Sequence, residues 1–413
     1  MGKSVMFIER GIRKAIEAAN RFFPALLLTG ARQVGKTTFL RRLAEPERKY
    51  VTFDDAELRT LAKEDPKGFL DRFSPPVLLD EVQYVPGLLS YIKMVIDERR
   101  FSDSDNAKGL FWLTGSQQFE LMHGVSDSLA GRIGIFDMGG ISQAELAGRA
   151  NIPFTPCIPF VEGRRPGVME LFRRIWQGTY PEVLNATAEE RNLFYSSYVS
   201  TFLERDIRNL KKVHDLDRFY RLICSCAART GQMLNASELA RDAGIDTTTA
   251  QDWLAILQAS HVIHLLPPYA SSLTARLVKT PKLFFLDTGL CSYLTHWPTP
   301  ETLEAGAMAG HIFETWCISE VIKTYWNAGQ KIDKLFYYRD RDQREIDLVI
   351  DTAEGFYPAE CKKTATPNGD DARHFKILGK LGKPVLKGAI LCACDTPVPL
   401  PNKNVVCIPA CDI

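Results

Sequence analysis

The segment that decides the fold of the first third of the chain runs from residue 22 to residue 42 and reads FFPALLLTGARQVGKTTFLRR. It begins with an apolar run, Ala25 to Leu28, continues through a loop bounded by two glycines, and then takes on a helical pattern. The loop fits G-x-x-x-x-G-K-[ST] at every fixed position from Gly30 to Thr37. Between a strand and a helix, this is the P-loop pattern, and it predicts a phosphate-binding site.

The chemistry of phosphate groups explains the spacing of this loop. Consecutive backbone N–H groups at the amino end of a helix form a concave anion site, and glycines let the chain approach the phosphates closely. Lys36 is suited to the terminal phosphates, and the Thr37 hydroxyl is suited to Mg²⁺. We therefore expect ATP to contact the consecutive residues Gly30, Ala31, Arg32, Gln33, Val34, Gly35, Lys36, Thr37 and Thr38.

Two carboxylates at the end of a second apolar run complete the predicted site. Residues 76–81 read PVLLDE; buried parallel strands have such continuous apolar runs, and ligands bind at their carboxyl ends. Asp80 is suited to the Mg²⁺ shell and Glu81 to a base that orients the attacking water. A third run, LFWLTGSQ at residues 110–117, places Ser116 or Gln117 near the γ-phosphate. The alternative is a polar strand end that leads into a loop.

Strands and helices alternate through the first part of the chain, which predicts a doubly wound, mostly parallel α/β sheet. Arg132 precedes an apolar strand at residues 133–138. It is a candidate arginine finger for another copy, or a sensor within its own subunit, because arginine stabilises charge on the transferred phosphoryl group. An exposed surface arginine is the alternative. If Arg132 acts on another copy, the protein must form a homo-oligomer.

Length, charge and apolar runs limit the class of protein. With 413 residues, the chain is expected to hold two or three domains, and its net charge of +1 provides no overall field that attracts nucleic acid. No apolar run approaches the ~18 residues of a membrane span, and the first residues lack the apolar segment of a signal peptide. We therefore expect a cytoplasmic protein without a membrane partner, with its ten cysteines as buried free thiols.

The middle of the chain predicts a helical module that ends in a winged helix. Residues 235–264 read as two short helices around a turn at Gly244, which is helix-turn-helix geometry. Residues 265–286 read as a β-wing with a polar tip. The second helix is expected to expose side chains that do not form a basic surface, so a structural or protein-docking role is as well supported as DNA reading: Thr248, Gln251 and Asp252.

A second chemical site is predicted in a hairpin formed by residues 345–351 and 356–362. Two registers are open, one with Asp347 opposite Glu360 and the other with Asp347 opposite Lys362. In both registers these three side chains share one face, where two acids and a lysine form a place for Mg²⁺. Glu314, from the preceding helix, is a candidate to complete the metal shell. The alternative is a solvated face with Asp–Lys cross-strand pairs.

Basic residues near this hairpin are candidates to hold a nucleic-acid backbone, because lysine and arginine neutralise phosphates. They are Lys331, Lys334, Arg339, Arg341, Arg344 and Lys363.

The order of these motifs resembles the bacterial and archaeal two-part ATPases, in which an AAA-type P-loop domain precedes a winged helix and a restriction-nuclease-like, PD-(D/E)xK domain of unknown function. The resemblance covers nearly the whole chain, and its carriers are GARQVGKTT, VLLDEVQ, LTGSQQ, SLAGR, GTYPE, YVSTFLERDI, TPKLFFLDTGL, FETWCISEVIK, REIDLVI and AECKK.

This resemblance implies domains at residues 1–152, 160–295 and 300–413. It implies ATP at residues 30–38, Mg²⁺ at Thr37 and Asp80, and catalytic work by Glu81. It also implies that the last domain has an α/β restriction-endonuclease-like fold. Its nuclease-like quartet would be formed by Glu314, Asp347, Glu360 and Lys362.

The sequence thus supports two hypotheses of function. The first is an Mg²⁺-dependent ATPase coupled to a DNA-directed, nuclease-like carboxyl-terminal domain. The second is an ATP-dependent regulatory switch that binds a protein partner and has a non-catalytic carboxyl-terminal domain. A DNA-tethered transcriptional regulator is a third and weaker hypothesis, because the second helix of the winged module is not basic.

Overall fold

The structure, a computed structural model, describes residues 7–102, 107–115, 128–158, 165–207, 213, 215–270, 280–400 and 404–413. The chain divides into two compact units. The first comprises Met1–Ile141, Ala259–His261 and Trp326–Gln330, and the second comprises Ser142–Gln258, Val262–Tyr325 and Lys331–Ile413. No helix among the described residues is long and apolar enough to cross a membrane.

The first unit is built on a five-stranded sheet. Its strands are β1 (Ala25–Thr29), β2 (Lys49–Thr52), β3 (Val77–Asp80), β4 (Phe111–Thr114) and β5 (Ile133–Asp137). They lie in the order β2-β3-β4-β1-β5, and each neighbouring pair is parallel. All carboxyl ends therefore meet at one edge of the sheet, which is where ligands bind in open α/β sheets.

Helices cover both faces of this sheet. They are α1 (Arg13–Asn20), α2 (Lys36–Leu43), α3 (Ala56–Glu64), α4 (Pro66–Arg72) and α5 (Leu88–Ser102). Successive side chains of a strand point to opposite faces, and β1 shows the result: Ala25 and Leu27 belong to one core, whereas Leu26 and Leu28 belong to the other. This explains the continuous apolar run and confirms the predicted parallel α/β sheet.

The second unit begins with helices and a small antiparallel sheet. The helices are α6 (Gln143–Leu146), α7 (Val168–Gln177), α8 (Ala188–Thr201), α9 (Leu216–Ala228), α10 (Ala236–Ala243), α11 (Thr247–Ala259), α12 (Thr288–Leu294), α13 (Pro300–Ala305) and α14 (Ala309–Asn327). The three strands are β6 (Gln232–Met233), β7 (Ile263–Leu266) and β8 (Lys282–Phe285), in the order β6-β8-β7.

Local signals account for the two short helices α10 and α11. Asn235 accepts a hydrogen bond from the Glu238 N–H at 3.2 Å, and Asp246 accepts one from the Thr249 N–H at 2.9 Å. Gly244 ends α10 with a φ of 70°, a conformation that favours glycine. The identity of this segment as a winged helix stays a prediction, and the expected wing tip at residues 271–279 lies outside the described residues.

A six-stranded mixed sheet forms the last part of the second unit. Its strands are β9 (Leu335–Arg339), β10 (Glu345–Asp351), β11 (Phe356–Lys362), β12 (Gly388–Cys392), β13 (Val398–Leu400) and β14 (Val405–Pro409), in the order β13-β14-β12-β11-β10-β9. Leu348 pairs with Ala359, which places Asp347 opposite Glu360 and confirms the first of the two predicted registers.

The unit boundary differs from the predicted domain boundary at residue 152. The first unit ends at Ile141, and polar contacts hold the following residues within the second unit. The Gln143 N–H donates to Glu320 at 2.9 Å, and Arg149 donates to the Cys411 carbonyl at 2.7 Å. The predicted ranges 160–295 and 300–413 lie in one unit, so their separation into two domains stays a prediction.

Candidate nucleotide site and carboxylate–lysine cluster

The predicted P-loop joins the carboxyl end of β1 to the amino end of α2. Gly30 has a φ of +144°, and a Cβ added there would lie 2.1 Å from the Met138 carbonyl oxygen. Gly35 has a φ of 92° at the N-cap position of α2. Both glycines are therefore required by the backbone, the first by close approach and the second by its left-handed conformation.

The interior of the loop is suited to an anion. The Lys36 ammonium donates to the carbonyl oxygens of Gly30 at 2.9 Å and Ala31 at 2.8 Å, so this cation is held at the loop. Gly35 has no side chain that would cap the first N–H groups of α2, and the first turn carries no acidic residue. These N–H groups and the ammonium fit the phosphates of a nucleotide.

The structure brings Thr37 and Asp80 together from different elements. Thr37 Oγ1 donates to Asp80 Oδ1 at 2.8 Å, and the Tyr50 hydroxyl donates to Asp80 Oδ2 at 3.0 Å. The Thr114 hydroxyl also donates to Asp80 Oδ1. Burial, followed by the charge of Asp80, raises the pKa of Tyr50 to about 12, so this hydroxyl stays a donor. A hydroxyl and a carboxylate are hard oxygen donors, which fit Mg²⁺.

Glu81 follows Asp80 in an uncommon backbone conformation. Its φ of 58° and ψ of 47° are left-handed, which is costly for a residue with a side chain and typical of functional sites. The Glu81 N–H donates to Thr114 Oγ1 at 3.3 Å. Gln83 Nε2 donates to Glu81 Oε2, and Gln83 is buried. Glu81 is thus directed by its backbone and by a buried amide.

Several residues of this site were not found from the sequence, namely Arg10, Tyr50, Gln83 and Thr114. Arg10 is buried and fixes the loop, since it donates to the Val34 carbonyl at 2.8 Å and to the Gly139 carbonyl at 2.8 Å. The sequence did indicate the end of β4 as part of the site. However, the residues it predicted there, Ser116 and Gln117, lie outside the described residues. Thr114, the last residue of that strand, provides the contacts that the structure shows.

Arg132 lies at the wrong edge of the sheet for the predicted role within its own subunit. Its carbonyl accepts from the Ala25 N–H at 3.1 Å, so it stands beside the amino end of β1, about 15 Å from the P-loop at about 3.3 Å per residue. Its guanidinium forms two hydrogen bonds to Asp97, at 2.6 and 3.0 Å, which lower the pKa of Asp97. This position does not support the sensor role within its own subunit, because the P-loop lies at the opposite edge of the sheet.

The second unit contains the predicted carboxylates together with a lysine that the sequence did not indicate. Lys282 of β8 is 3% exposed. Its Nζ lies 2.8 Å from Glu314 Oε1, 2.5 Å from Glu345 Oε1 and 3.5 Å from Asp347 Oδ1. Lys362 Nζ lies 3.0 Å from Glu360 Oε2. We name these residues the carboxylate–lysine cluster: Lys282, Glu314, Glu345, Asp347, Glu360 and Lys362.

Burial and charge shift the pKa values within this cluster. Burial, together with the charge of Asp347, raises the pKa of Glu314 to about 8 and that of Glu360 to about 9. Burial acts to raise the pKa of Asp347, but Lys282 and Lys362 outweigh it and hold that pKa below its usual value. Burial acts to lower the pKa of Lys282, but the surrounding carboxylates outweigh it and place that pKa well above its ordinary value.

The cluster does not fit the predicted metal site of Glu314, Asp347 and Glu360. Within the described part of the chain, no group of three or more acidic, histidine or cysteine side chains is arranged to hold a metal ion. The Lys282 ammonium contacts Glu314 and Asp347 instead, and the Cys361 N–H donates to Asp347 Oδ2 at 2.9 Å. This arrangement does not favour Mg²⁺ at Glu314 and Asp347, because an internal cation already contacts one oxygen of each.

Carboxylates pair with three of the basic residues that were predicted to hold a nucleic-acid backbone, namely Arg339, Arg344 and Lys363. Arg339 lies 3.3 Å from Glu345, Arg344 lies 2.7 Å from Asp340, and Lys363 lies 2.7 Å from Glu304. A paired cation attracts a phosphate less than a free one, so the charge available to nucleic acid is smaller than the sequence indicated.

Comparison with known proteins matches three segments of the chain to family models. Residues 23–147 match an AAA domain, residues 169–301 match a domain of unknown function (DUF8612), and residues 309–412 match a second domain of unknown function (DUF4143). Together with the geometry of the loop, the first match shows that the amino-terminal segment is a P-loop domain of the AAA ATPase type.

The chain is 27% identical over 374 residues to the uncharacterized proteins Rv2008c of Mycobacterium tuberculosis and Mb2031c of Mycobacterium bovis, covering 88% of this chain and 76% of each relative. A solved structure of a Walker-type ATPase of Pyrococcus abyssi is similar with a TM-score of 0.43 and 15% identity, covering 70% of this chain and 96% of that one.

Proposed function

We propose that this protein binds ATP with Mg²⁺ at the P-loop and hydrolyses it. The observation that carries the proposal is the 2.8 Å hydrogen bond between Thr37 and Asp80. It joins the first turn of the loop's helix to the end of β3, and it brings together the two groups suited to one Mg²⁺ ion. Lys36 and Glu81 stand beside this pair in the chain.

Each residue has a distinct role in this proposal. The N–H groups at the start of α2 bind the phosphates, and Lys36 exchanges its carbonyl contacts for phosphate oxygens. Glu81, directed by Gln83, accepts a hydrogen bond from the attacking water and orients it. Bound Mg²⁺ supplies charge stabilisation at the phosphates, and Thr37 and Asp80 are the residues that would hold it.

Steady-state ATP hydrolysis by the purified protein tests this proposal. We expect Lys36→Ala to lose nucleotide binding, and Glu81→Gln to bind ATP but to lose about 10²-fold or more in kcat, because a positioned base typically contributes about 10²–10⁴-fold. Exposed residues provide matched controls, Lys63→Ala and Glu98→Gln, and these should retain full activity. Wild-type hydrolysis that persists in Glu81→Gln would contradict the role of Glu81, and failure of the wild type to bind ATP would contradict the proposal.

The ATP-dependent switch is a second candidate for the whole chain, with a non-catalytic carboxyl-terminal domain and a protein partner. Two observations favour it over a DNA-directed nuclease: the lysine seated among the carboxylates and the exposed, uncharged Thr248 and Gln251 of α11. A role for Arg132 on another copy, and with it a homo-oligomer, would require that Arg132 leave Asp97.

A further inference from the structure

One ammonium group connects three separate elements of the second unit. Lys282 comes from β8, Glu314 from α14, and Glu345 and Asp347 from β10. Its Nζ lies within 3.5 Å of a carboxylate oxygen from each of the three acids, and the shortest distances, 2.5 and 2.8 Å, join it to Glu345 and Glu314. These contacts link the small three-stranded sheet to α14 and to the larger mixed sheet.

Because these groups are buried, the lysine and a metal ion would compete for the same carboxylates. Lys282 is 3% exposed, and Glu314 and Asp347 are each 9% exposed. Carboxylates removed from water require a compensating cation. A divalent ion needs carboxylate oxygens at about 2.0–2.6 Å. Lys282 contacts one oxygen of each of the three acids, and the second oxygens of Glu345 and Asp347 accept from Arg339 and from the Cys361 N–H, so a metal ion bound here would have to displace the ammonium. The site therefore holds either the lysine or a metal ion.

We propose that the Lys282 ammonium takes the place of a divalent metal ion in this cluster, so that the nuclease-like site is an internal ion-pair junction and binds no metal. Its carboxylates are satisfied by the chain itself. Glu345 is also paired with Arg339 at 3.3 Å, and Glu360 with Lys362 at 3.0 Å. Metal-dependent hydrolysis of a phosphodiester has no metal centre here.

Limited access of ions from solvent would not be the reason that the cluster binds no metal. A pocket of about 670 Å³ is lined by residues that include Lys282, Glu345 and Arg339, so ions from solvent reach the edge of the cluster. The lysine itself is what excludes the metal. Its replacement by an uncharged side chain of similar length should open a divalent cation site where the wild type has none.

Titration of the nucleotide-free protein with Mn²⁺, followed by electron paramagnetic resonance of free Mn²⁺, tests the proposal. We expect the wild type to show no stoichiometric Mn²⁺ site in this cluster, whereas Lys282→Met gains one. Addition of Asp347→Asn to Lys282→Met should abolish the new site, which assigns it to the cluster rather than to the P-loop. Lys363→Met, which removes a lysine paired with Glu304 outside the cluster, should leave Mn²⁺ binding unchanged.

Thermal unfolding provides a second measurement. Lys282→Met should unfold at a lower temperature than the wild type in a metal-free buffer, and Mn²⁺ should recover part of the difference, because unpaired buried carboxylates gain a new cation. Wild-type unfolding should respond to Mn²⁺ no more than unfolding of Asp347→Asn does. A wild-type Mn²⁺ site that disappears in Asp347→Asn would overturn the proposal, and this result can be obtained even if Lys282→Met fails to fold.

Discussion

At the scale of single residues, Thr114 contacts both acidic residues of the nucleotide site, Asp80 through its carboxylate and Glu81 through its backbone N–H. Its hydroxyl donates to Asp80 and accepts from the Glu81 N–H at 3.3 Å, and the side chain is 1% exposed. Groups that hydrogen-bond a metal ligand from behind typically change metal affinity or activity by about 10–100-fold when they are removed. We therefore expect Thr114→Val, which keeps the shape and removes the hydroxyl, to raise the Mg²⁺ concentration for half-maximal ATP hydrolysis by about tenfold or more.

Mg²⁺ titrations of ATP hydrolysis measure this effect. Thr60→Val is a matched control, because the exposed Thr60 hydroxyl only donates to the Ala56 carbonyl at 2.9 Å within α3. An unchanged Mg²⁺ requirement in Thr114→Val would contradict this role of Thr114. It would show that Thr37 and Tyr50 are sufficient to position Asp80 for Mg²⁺.

The same scale shows where sequence patterns are informative. The P-loop spacing predicted a strand, a loop and a helix that begins at Lys36, and the structure has them in this order, because the geometry of such a loop depends on consecutive residues. Thr114 and Lys282 were missed because their partners come from elements far away in the sequence. A threonine at a strand end and a lysine in an apolar strand carry no local signal of the carboxylate that each one contacts.

At the scale of elements, Asp287 holds together the start of α12 and the turn after α7. It caps α12 by accepting from the Leu290 N–H at 2.7 Å. It also accepts from the Thr179 N–H at 2.7 Å, the Thr179 hydroxyl at 2.8 Å and the Tyr195 hydroxyl at 2.9 Å. Gly178 permits this packing, since a Cβ there would lie 2.0 Å from the Tyr195 hydroxyl. The stretches GTYPE and LDTGL thus meet in one buried junction.

We expect Asp287→Ala to lower the free energy of unfolding of the second unit by about 3 kcal/mol, because it removes a helix cap and leaves buried donors without an acceptor. Urea denaturation measures the loss. Asp215→Ala is the control: Asp215 caps α9 at the surface through the Arg218 N–H at 3.0 Å, and its loss should cost only about 1 kcal/mol. Equal losses in the two variants would contradict a junction role for Asp287.

Strand direction decides which element-scale predictions succeed. Asp80 lies on the same edge of the sheet as the P-loop because it ends β3, and the carboxyl ends of parallel strands meet at the ligand-binding edge. Arg132 was misplaced because it precedes β5 and so lies at the other edge. The sequence could not distinguish the two registers of the hairpin, because both leave the same side chains on the same face of each strand. Only the pairing of Leu348 with Ala359 separates them.

At the scale of the whole molecule, the amino-terminal segment carries a nucleotide site that is complete in its residue types, whereas the carboxyl-terminal sheet carries a site whose charges are satisfied internally. Composition and motif order could not distinguish these cases, because the acids of a metal site and those of an ion-pair junction look alike in a sequence. The difference lies in one lysine, Lys282, which the fold brings to the carboxylates of α14 and β10.

This distribution of charge predicts weak binding of DNA and no cleavage. The chain has a net charge of +1, and Arg339, Arg344 and Lys363 are each paired with a carboxylate. Each phosphate contact contributes about −0.9 to the slope of log K against log salt concentration. We expect a slope no steeper than about −2 for duplex DNA, measured by fluorescence anisotropy between about 50 and 200 mM salt, with ATP and without it.

Glu304→Gln provides an internal calibration for this measurement, because it releases Lys363 from its 2.7 Å ion pair. Lys363 would lose its paired carboxylate and keep its 2.8 Å hydrogen bond to the backbone carbonyl of residue 304. This one unpaired charge should steepen the slope by about 1 at most, and a measurable change would show that the assay detects a single contact. A wild-type slope of about −5 or steeper, together with Mg²⁺- or Mn²⁺-dependent DNA cleavage that Asp347→Ala abolishes, would restore the nuclease hypothesis. Weak binding without cleavage under every nucleotide condition favours the switch, since the energy of ATP would then act on a protein partner rather than on nucleic acid.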